Sequence, residues 1–237
     1  MDKSVVHYLP IATTVISAVF CTILVRRYRR KPGARHLLWW SIGMFTYGLG
    51  TALESAITLF GNSIALTKAW YIAGALLGGY PLAQGSVYLL FSRRAANRLM
   101  FITLPIIAAC AVLVVLSPPL VERLEPHRPS GAVLGWQWVR LMTPIINGYS
   151  FLFLVGGAIY SAVRYARLPS SEGANRTVGN VLIAFGALLP GIGGSMAKTG
   201  FVEALYVGEF IGLLFILAGY YACLRPVMVP APIRSPA

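Results

Sequence analysis

LMFITLPIIAACAVLVVLS, residues 99–117, contains no charged side chain and is apolar almost throughout. A helix that crosses a lipid bilayer needs about 20 mostly apolar residues, and this stretch has that length. Six further stretches of similar character flank it. The seven predicted spans lie at about 5–25, 37–59, 66–91, 99–117, 138–163, 178–198 and 202–224.

The composition of the whole chain agrees with a membrane protein. Of its 237 residues 57% are hydrophobic and 11% are charged, whereas a water-soluble domain of this size needs a more polar surface. The fold class predicted is therefore all-α, a polytopic membrane protein built as a seven-transmembrane-helix bundle. Residues 1–225 form that bundle, and 226–237 form a short proline-rich cytoplasmic tail.

The positive charge is concentrated between alternate pairs of spans. The basic segments are RRYRRKPGARH at 26–36, SRRAANR at 92–98 and RYARLPSSEGANR at 164–176. Loops rich in arginine and lysine stay in the cytoplasm, so the N-terminus is predicted outside and the C-terminus inside. The net charge of +13 is thus assigned to topology and to contacts with membrane lipids, and nucleic acid is not expected as a partner.

Ionisable groups inside a membrane are expensive to insert, which makes them the first candidates for a functional site. Glu54 and Glu209 lie within the second and seventh predicted spans, in the outer half of the membrane. Basic groups lie at similar depth near the ends of three other spans. The candidate ligand-binding residues are Glu54, Lys68, Arg140, Asn147, Lys198 and Glu209.

Two arrangements of these groups are compatible with the sequence. In one, the acids and bases pair across a polar pocket that opens outward. In the other, the cations extend separately to the membrane surface and Glu54 is a neutral acid that hydrogen-bonds a neighbouring helix.

The fifth predicted span has three polar side chains at spacings of three and four residues, Thr143, Asn147 and Ser150. This spacing places them on one side of a helix, which we expect to face inward. They would then contact a ligand or join neighbouring helices by hydrogen bonds.

Other chemistries find no motif in the sequence. Cys21, Cys110 and Cys223 lie singly in apolar stretches, so neither a disulfide nor a metal site is expected. No catalytic residues, no cofactor and no enzyme activity are predicted.

The loop between the fourth and fifth spans contains four prolines (SPPLVERLEPHRPSGAVLGWQ, 117–137), and we expect a spacer in preference to a lid. Glycine and proline in the third and sixth spans predict kinks and close helix approach.

The first half of the chain resembles a known family. KPGARHLLWWSIGMFTYGLGTALES at 31–55 and LTKAWYIAGALLGGYPLAQGSVYLLFSRR at 66–94 are similar to the seven-helix sensor module at the N-terminus of some bacterial histidine kinases. The resemblance implies a bacterial cytoplasmic membrane protein that detects something at or in the membrane. Only a proline-rich stretch follows Arg225, so any signal is expected to leave through a partner membrane or cytoplasmic protein.

Three functions remain open at this point. The first is a stand-alone sensor-like or ligand-binding bundle. The second is a non-catalytic subunit of a larger membrane complex, which the glycine-rich helix faces would suit. The third is a small transporter, suggested by the interrupted third and sixth spans.

Overall fold

The computed structural model describes residues 5–225, apart from the side chain of Lys198, and this part of the chain is helical almost throughout. Within it no β-strand forms, and one isolated antiparallel bridge joins Pro119 and Leu134. The predicted tail at 226–237 lies outside the described residues.

The α-helices are short in the third and fifth predicted spans and long elsewhere. Two short helices run directly into π-helical turns, at Tyr71–Leu76 and at Phe151–Val155. The helices are α1 Leu9–Arg30, α2 Arg35–Phe60, α3 Ile64–Trp70, α4 Tyr80–Leu90, α5 Arg93–Leu116, α6 Met142–Ser150, α7 Gly156–Ala166, α8 Ser171–Lys198 and α9 Glu203–Leu224.

Serine caps explain why two helices begin earlier than predicted. The side chain of Ser92 accepts a hydrogen bond from the backbone of Ala95, and α5 begins at Arg93 instead of 99. Ser170 accepts from the backbone of Gly173 in the same way, and α8 begins at Ser171 instead of 178. A serine side chain satisfies backbone N–H groups at a helix start, so the helix extends into a polar first turn that hydropathy does not detect.

The third predicted span is broken, as its glycines and proline suggest. The π-helical turn ends at Leu76, and α4 begins at Tyr80 with Pro81 in its first turn. A Cβ on Gly78 would lie 2.4 Å from the carbonyl oxygen of Gly74, so the chain can turn this tightly only with glycine. In contrast, α8 runs through Pro190 without ending.

Glycines allow α8 and α9 to pack backbone against backbone, and these two helices make the most extensive contact in the bundle. Gly179 faces Gly219, and Gly186 faces Gly212. In both pairs an added Cβ would lie within 2.6 Å of the opposite carbonyl oxygen. Such close approach is typical of helix pairs in membranes, and it confirms the prediction made from the glycine-rich sixth span.

In the part of the chain that the structure describes, five helices are long and apolar enough to cross a membrane, which fits a membrane protein. They are Val5–Arg30, Arg93–Leu116, Gln137–Ala166, Ser171–Ala197 and Glu203–Leu224. Large apolar side chains on their surfaces face away from the bundle, among them Phe101, which is 70% exposed. Lipid tails would cover such side chains.

The proline-rich loop folds onto the bundle as a compact cap. Val133 and Leu134 are buried, and Leu134 packs with Tyr71 and Val114. The side-chain amide of Asn62 donates to the carbonyl oxygens of Glu125 and Arg128 at 2.8 and 3.0 Å. We call the end of the bundle that carries this loop the loop end.

Candidate functional site

Two acidic side chains meet inside the bundle near the loop end. Glu54 lies on α2, one and a half turns before its end, and is 1% exposed. Glu209 lies in the second turn of α9. The two carboxyl groups lie close enough to interact electrostatically, and we call them the carboxyl pair.

A close contact between α2 and the third span brings a tryptophan to this pair. A Cβ on Gly50 would lie 2.9 Å from Cα of Gly74, so the two backbones nearly touch. Glu54 lies one helical turn after Gly50, and Trp70 lies one turn before Gly74. The indole Nε1 of Trp70 donates to Oε1 of Glu54 at 2.7 Å. A bond of this length to a buried carboxyl oxygen fixes the position of that group.

The burial of two acids close together favours a proton shared between them. Among the described residues, Oε2 of Glu54 and Oε2 of Glu209 are buried and receive no bond from an N–H or O–H donor. Two ionised carboxylates have no hydrogen to share, whereas one protonated and one ionised carboxyl group can bond each other. Like charges in contact also repel strongly away from water, so carboxyl pairs of this kind hold one proton in common.

Tyrosines surround the pair on both helices. The hydroxyl of Tyr47, two turns before Glu54 on α2, donates to the backbone carbonyl of Glu209 at 2.9 Å. Tyr206, one turn before Glu209 on α9, is 1% exposed, and its hydroxyl has no hydrogen-bond partner in the described part of the chain. Its ring makes an edge contact with His7, with centroids 6.0 Å apart.

On α1, the nearby polar groups are hydroxyls. Thr14 and Thr51 share a hydrogen bond of 2.9 Å between α1 and α2. The hydroxyl of Ser17 is buried without a partner among the described residues. The carboxyl pair thus lies in a closed region of hydroxyl and carboxyl groups, in which several hydrogen-bonding positions are unfilled.

Lys68 and Arg140, the two described cations, do not form the ion pairs of the first arrangement. Lys68 donates to the carbonyl oxygens of Val115 and Ser117, at 2.8 and 2.6 Å, and so satisfies the end of α5. Arg140 donates to Oε1 of Gln137 at 2.6 Å. Both cations find partners close to where they leave the bundle, and Glu54 instead bonds neighbouring helices, as in the second arrangement considered above.

The remaining two predicted site residues are Asn147 and Lys198. Asn147 is exposed, whereas Ile146 and Ser150 on the same helix are buried, so the prediction of an inward Asn147 was wrong. Successive residues of a helix are rotated by about 100°, and the inward direction at Ile146 leaves Asn147 at the side. The side chain of Lys198 lies outside the described part. Ligand binding by the six predicted residues stays a prediction.

Three residues of this site were not predicted. Trp70 lies near a helix end, where tryptophan is typical of the membrane interface. An interface role gave no reason to expect its hydrogen bond to Glu54. Tyr47 and Tyr206 carried no motif. Their spacing did offer a signal, because Tyr47 precedes Glu54 by seven residues and Tyr206 precedes Glu209 by three, which places each tyrosine on the same side of its helix as the acid.

Comparison of this chain with protein-family models and with curated proteins finds no match.

Proposed function

We propose that this protein is a membrane sensor whose input is the protonation of the carboxyl pair, and that it signals through a partner protein. The observation that supports the proposal is the proximity of two buried carboxyl groups, Glu54 on α2 and Glu209 on α9, neither of which forms an ion pair with a described cation. A buried ionisable pair in a membrane bundle is a functional site by default.

The proton on the carboxyl pair would set the relative positions of α2 and α9. With one shared proton, the pair draws α2 and α9 together. Loss of that proton leaves two negative charges in contact in a region of low dielectric constant, where their repulsion is large. The helices then separate or rotate until water reaches the carboxylates. A closed state at low pH and an open state at high pH follow, and a switch of this kind needs only a two-state element that the proton biases.

Among the described residues, few other titratable groups lie near the pair. Tyr47 on α2 and Tyr206 on α9 are the nearest. The N-terminal turn contributes His7 beside Tyr206, and Glu203 and Arg128 act on Tyr206 electrostatically. The third span contributes Trp70, which does not titrate. Of these groups, the carboxyl pair is the one that lies between α2 and α9, and we therefore assign the switch to it.

Distance measurements between spin labels test this switch. Labels at Phe60 and Phe201, both exposed, would flank the ends of α2 and α9 at the loop end, after replacement of the three native cysteines by alanine. We expect the distance distribution in lipid nanodiscs to be narrow at low pH and to shift to longer distances as pH rises.

The matched control is the same labelled protein with Glu54→Gln and Glu209→Gln. Glutamine can donate a hydrogen bond without titrating, so this variant should keep the short distance at every pH. A wild-type distribution independent of pH, or a shift that persists in the double variant, would reject proton sensing.

We also propose that the bundle spans the membrane seven times, with the N-terminus outside. α2 has 26 residues, about 39 Å at 1.5 Å per residue, and its glycine, threonine and serine content lowers its hydropathy without shortening it. The third span would be α3, its π-helical turn and α4 together. The proposed location is a bacterial cytoplasmic membrane, as the resemblance to histidine-kinase sensor modules implies.

A reporter fused after Arg225 tests this topology. With basic segments at 26–36 and 92–98 retained in the cytoplasm, an alkaline phosphatase fusion should be inactive and a fluorescent-protein fusion should be bright. The same pair of reporters fused after Phe60 should give the opposite result. An active phosphatase after Arg225 would contradict seven spans.

The second candidate function is a non-catalytic subunit of a membrane complex. The extensive apolar surface of α5, which includes Phe101, Ile102 and Ile106, favours it, because a partner's helices could cover that surface as lipid does. Purification in a mild detergent followed by native mass measurement separates the two functions: the mass of this chain alone would count against the subunit. The transporter hypothesis loses its pair of broken helices, since α8 is continuous.

A further inference from the structure

A cavity of about 290 Å³ opens at the end of the bundle opposite the loop end, where α1 and α9 finish and α8 begins. Arginines from three places in the chain line it: Arg27 on α1, Arg176 on α8 and Arg225 directly after α9. Asn175 and Glu172 complete its polar lining. We call it the arginine cavity.

The charges in the arginine cavity are only partly compensated. Glu172 pairs with Arg176 at 2.5 Å, and Arg176 also donates to the hydroxyl of Tyr165 at 2.9 Å. Three guanidinium groups facing one carboxylate leave a net charge of two. Unscreened cations crowded this closely repel one another, and an anion between them would remove the repulsion.

Two of the arginines are held in place by aromatic rings. Arg27 donates to the hydroxyl of Tyr220 at 3.2 Å and lies over its ring, 5.6 Å from the centroid. Arg176 lies 5.0 Å from the centroid of Tyr165. Arg225, by comparison, makes no side-chain hydrogen bond, ion pair or ring contact with any described residue.

The positive region continues past Arg27 into a second cavity of about 190 Å³, which Lys31 and His36 line. His36 lies in the first turn of α2, before the predicted span at 37–59. Burial and the charge of Arg27 lower the pKa of its imidazole. The two cavities share Arg27 and Leu224, so they form one basic recess at this end of the bundle.

We propose that the arginine cavity binds a phosphate group, carried by an anionic lipid headgroup or by a soluble phosphorylated molecule. Guanidinium groups bind phosphate oxygens in pairs of parallel hydrogen bonds. The oxygens of a tetrahedral phosphate point in several directions, so they suit three arginines from different parts of the chain better than the two coplanar oxygens of a carboxylate. Basic pockets between helix ends are also where membrane proteins hold lipid phosphates. This inference does not rest on the proposed proton sensing.

Binding to the full-length protein in detergent tests the site. The probes are phosphatidylglycerol, phosphatidylcholine and inorganic phosphate, and the readouts are native mass spectrometry for the lipids and thermal stabilisation for inorganic phosphate. A lipid ligand predicts retention of phosphatidylglycerol over phosphatidylcholine. A soluble ligand predicts saturable stabilisation by inorganic phosphate. Binding of none of these probes would overturn the proposal.

Matched arginine variants locate the binding. Arg225→Gln should weaken it about fivefold, the effect of one basic residue on an anionic lipid surface. Arg94→Gln removes the same charge from an exposed position outside both cavities and should leave binding unchanged. Asn175→Ala, which keeps all charges, should also weaken it. Equal losses in Arg225→Gln and Arg94→Gln would show a diffuse charge effect and overturn the site.

Discussion

Replacing Gly186 by leucine is expected to prevent this protein from accumulating in a folded form. A Cβ at Gly186 would lie 2.5 Å from the carbonyl oxygen of Gly212, 2.9 Å from the backbone nitrogen of Ile216 and 2.9 Å from Cβ of Phe215. None of these atoms is the flexible end of a side chain, so the two helix backbones would have to move apart. Alanine at Gly186 should already lower the free energy of unfolding by about 1–3 kcal/mol, as overpacking commonly does.

Gly191 on the same helix provides the control. A Cβ there meets no atom within 4 Å, and alanine favours helix formation over glycine. Gly191→Ala should therefore be neutral or slightly stabilising in a detergent unfolding titration. If Gly186→Ala unfolded at the same denaturant concentration as Gly191→Ala, α8 and α9 would not be packed as the structure has them.

Removing the Glu54 carboxyl group should have the second large effect. Glu54→Ala leaves the indole N–H of Trp70 and the carboxyl group of Glu209 buried without partners. Each unsatisfied buried group costs about 1–3 kcal/mol, so we expect a loss of about 2–4 kcal/mol in the free energy of unfolding. The measurement is reversible unfolding in mixed detergent micelles at mildly acidic pH.

Glu54→Gln separates hydrogen bonding from proton binding. The glutamine oxygen can accept from Trp70 and its amide can donate to Glu209, so this variant should lose about 1 kcal/mol or less. The free energy of unfolding of the wild type should fall as pH rises, because loss of the shared proton leaves two like charges in contact. In Glu54→Gln that fall should be much smaller. An equal pH dependence in the two proteins would mean that the pair does not titrate.

The helices could be predicted from the sequence because the hydropathy of a segment depends only on its own consecutive residues. The depth of Glu54 and Glu209 follows from the same property, and so does the apolar character of 99–117. What depth cannot supply is the direction of a side chain around its helix and the identity of the neighbouring helix. The two acids were therefore recognised as candidates, but their contact with each other was not.

The cations show why polar ends are harder to predict than apolar centres. Lys68 and Arg140 were predicted at a depth similar to that of the two acids, yet each is held by other acceptors, the carbonyls that end α5 and the side chain of Gln137. The free carbonyls at a helix end are acceptors wherever that end is placed. Pairing by opposite charge alone does not consider that such acceptors compete with the two acids for the cations. Local hydrogen bonds also explain the early start of α5 and α8, where serine side chains cap the helices.

A double-mutant cycle on Glu54 and Glu209 measures whether the two carboxyl groups interact. Unfolding free energies are measured for Glu54→Ala, Glu209→Ala and the double variant, with Glu54→Ala and Arg140→Met as the control pair. A bonded carboxyl pair predicts that the double variant loses at least about 1 kcal/mol less than the two single losses together, while the control pair adds within about 0.5 kcal/mol. Additive losses for Glu54 and Glu209 would contradict the carboxyl pair, and coupling of Glu54 to Arg140 would restore the ion-paired pocket.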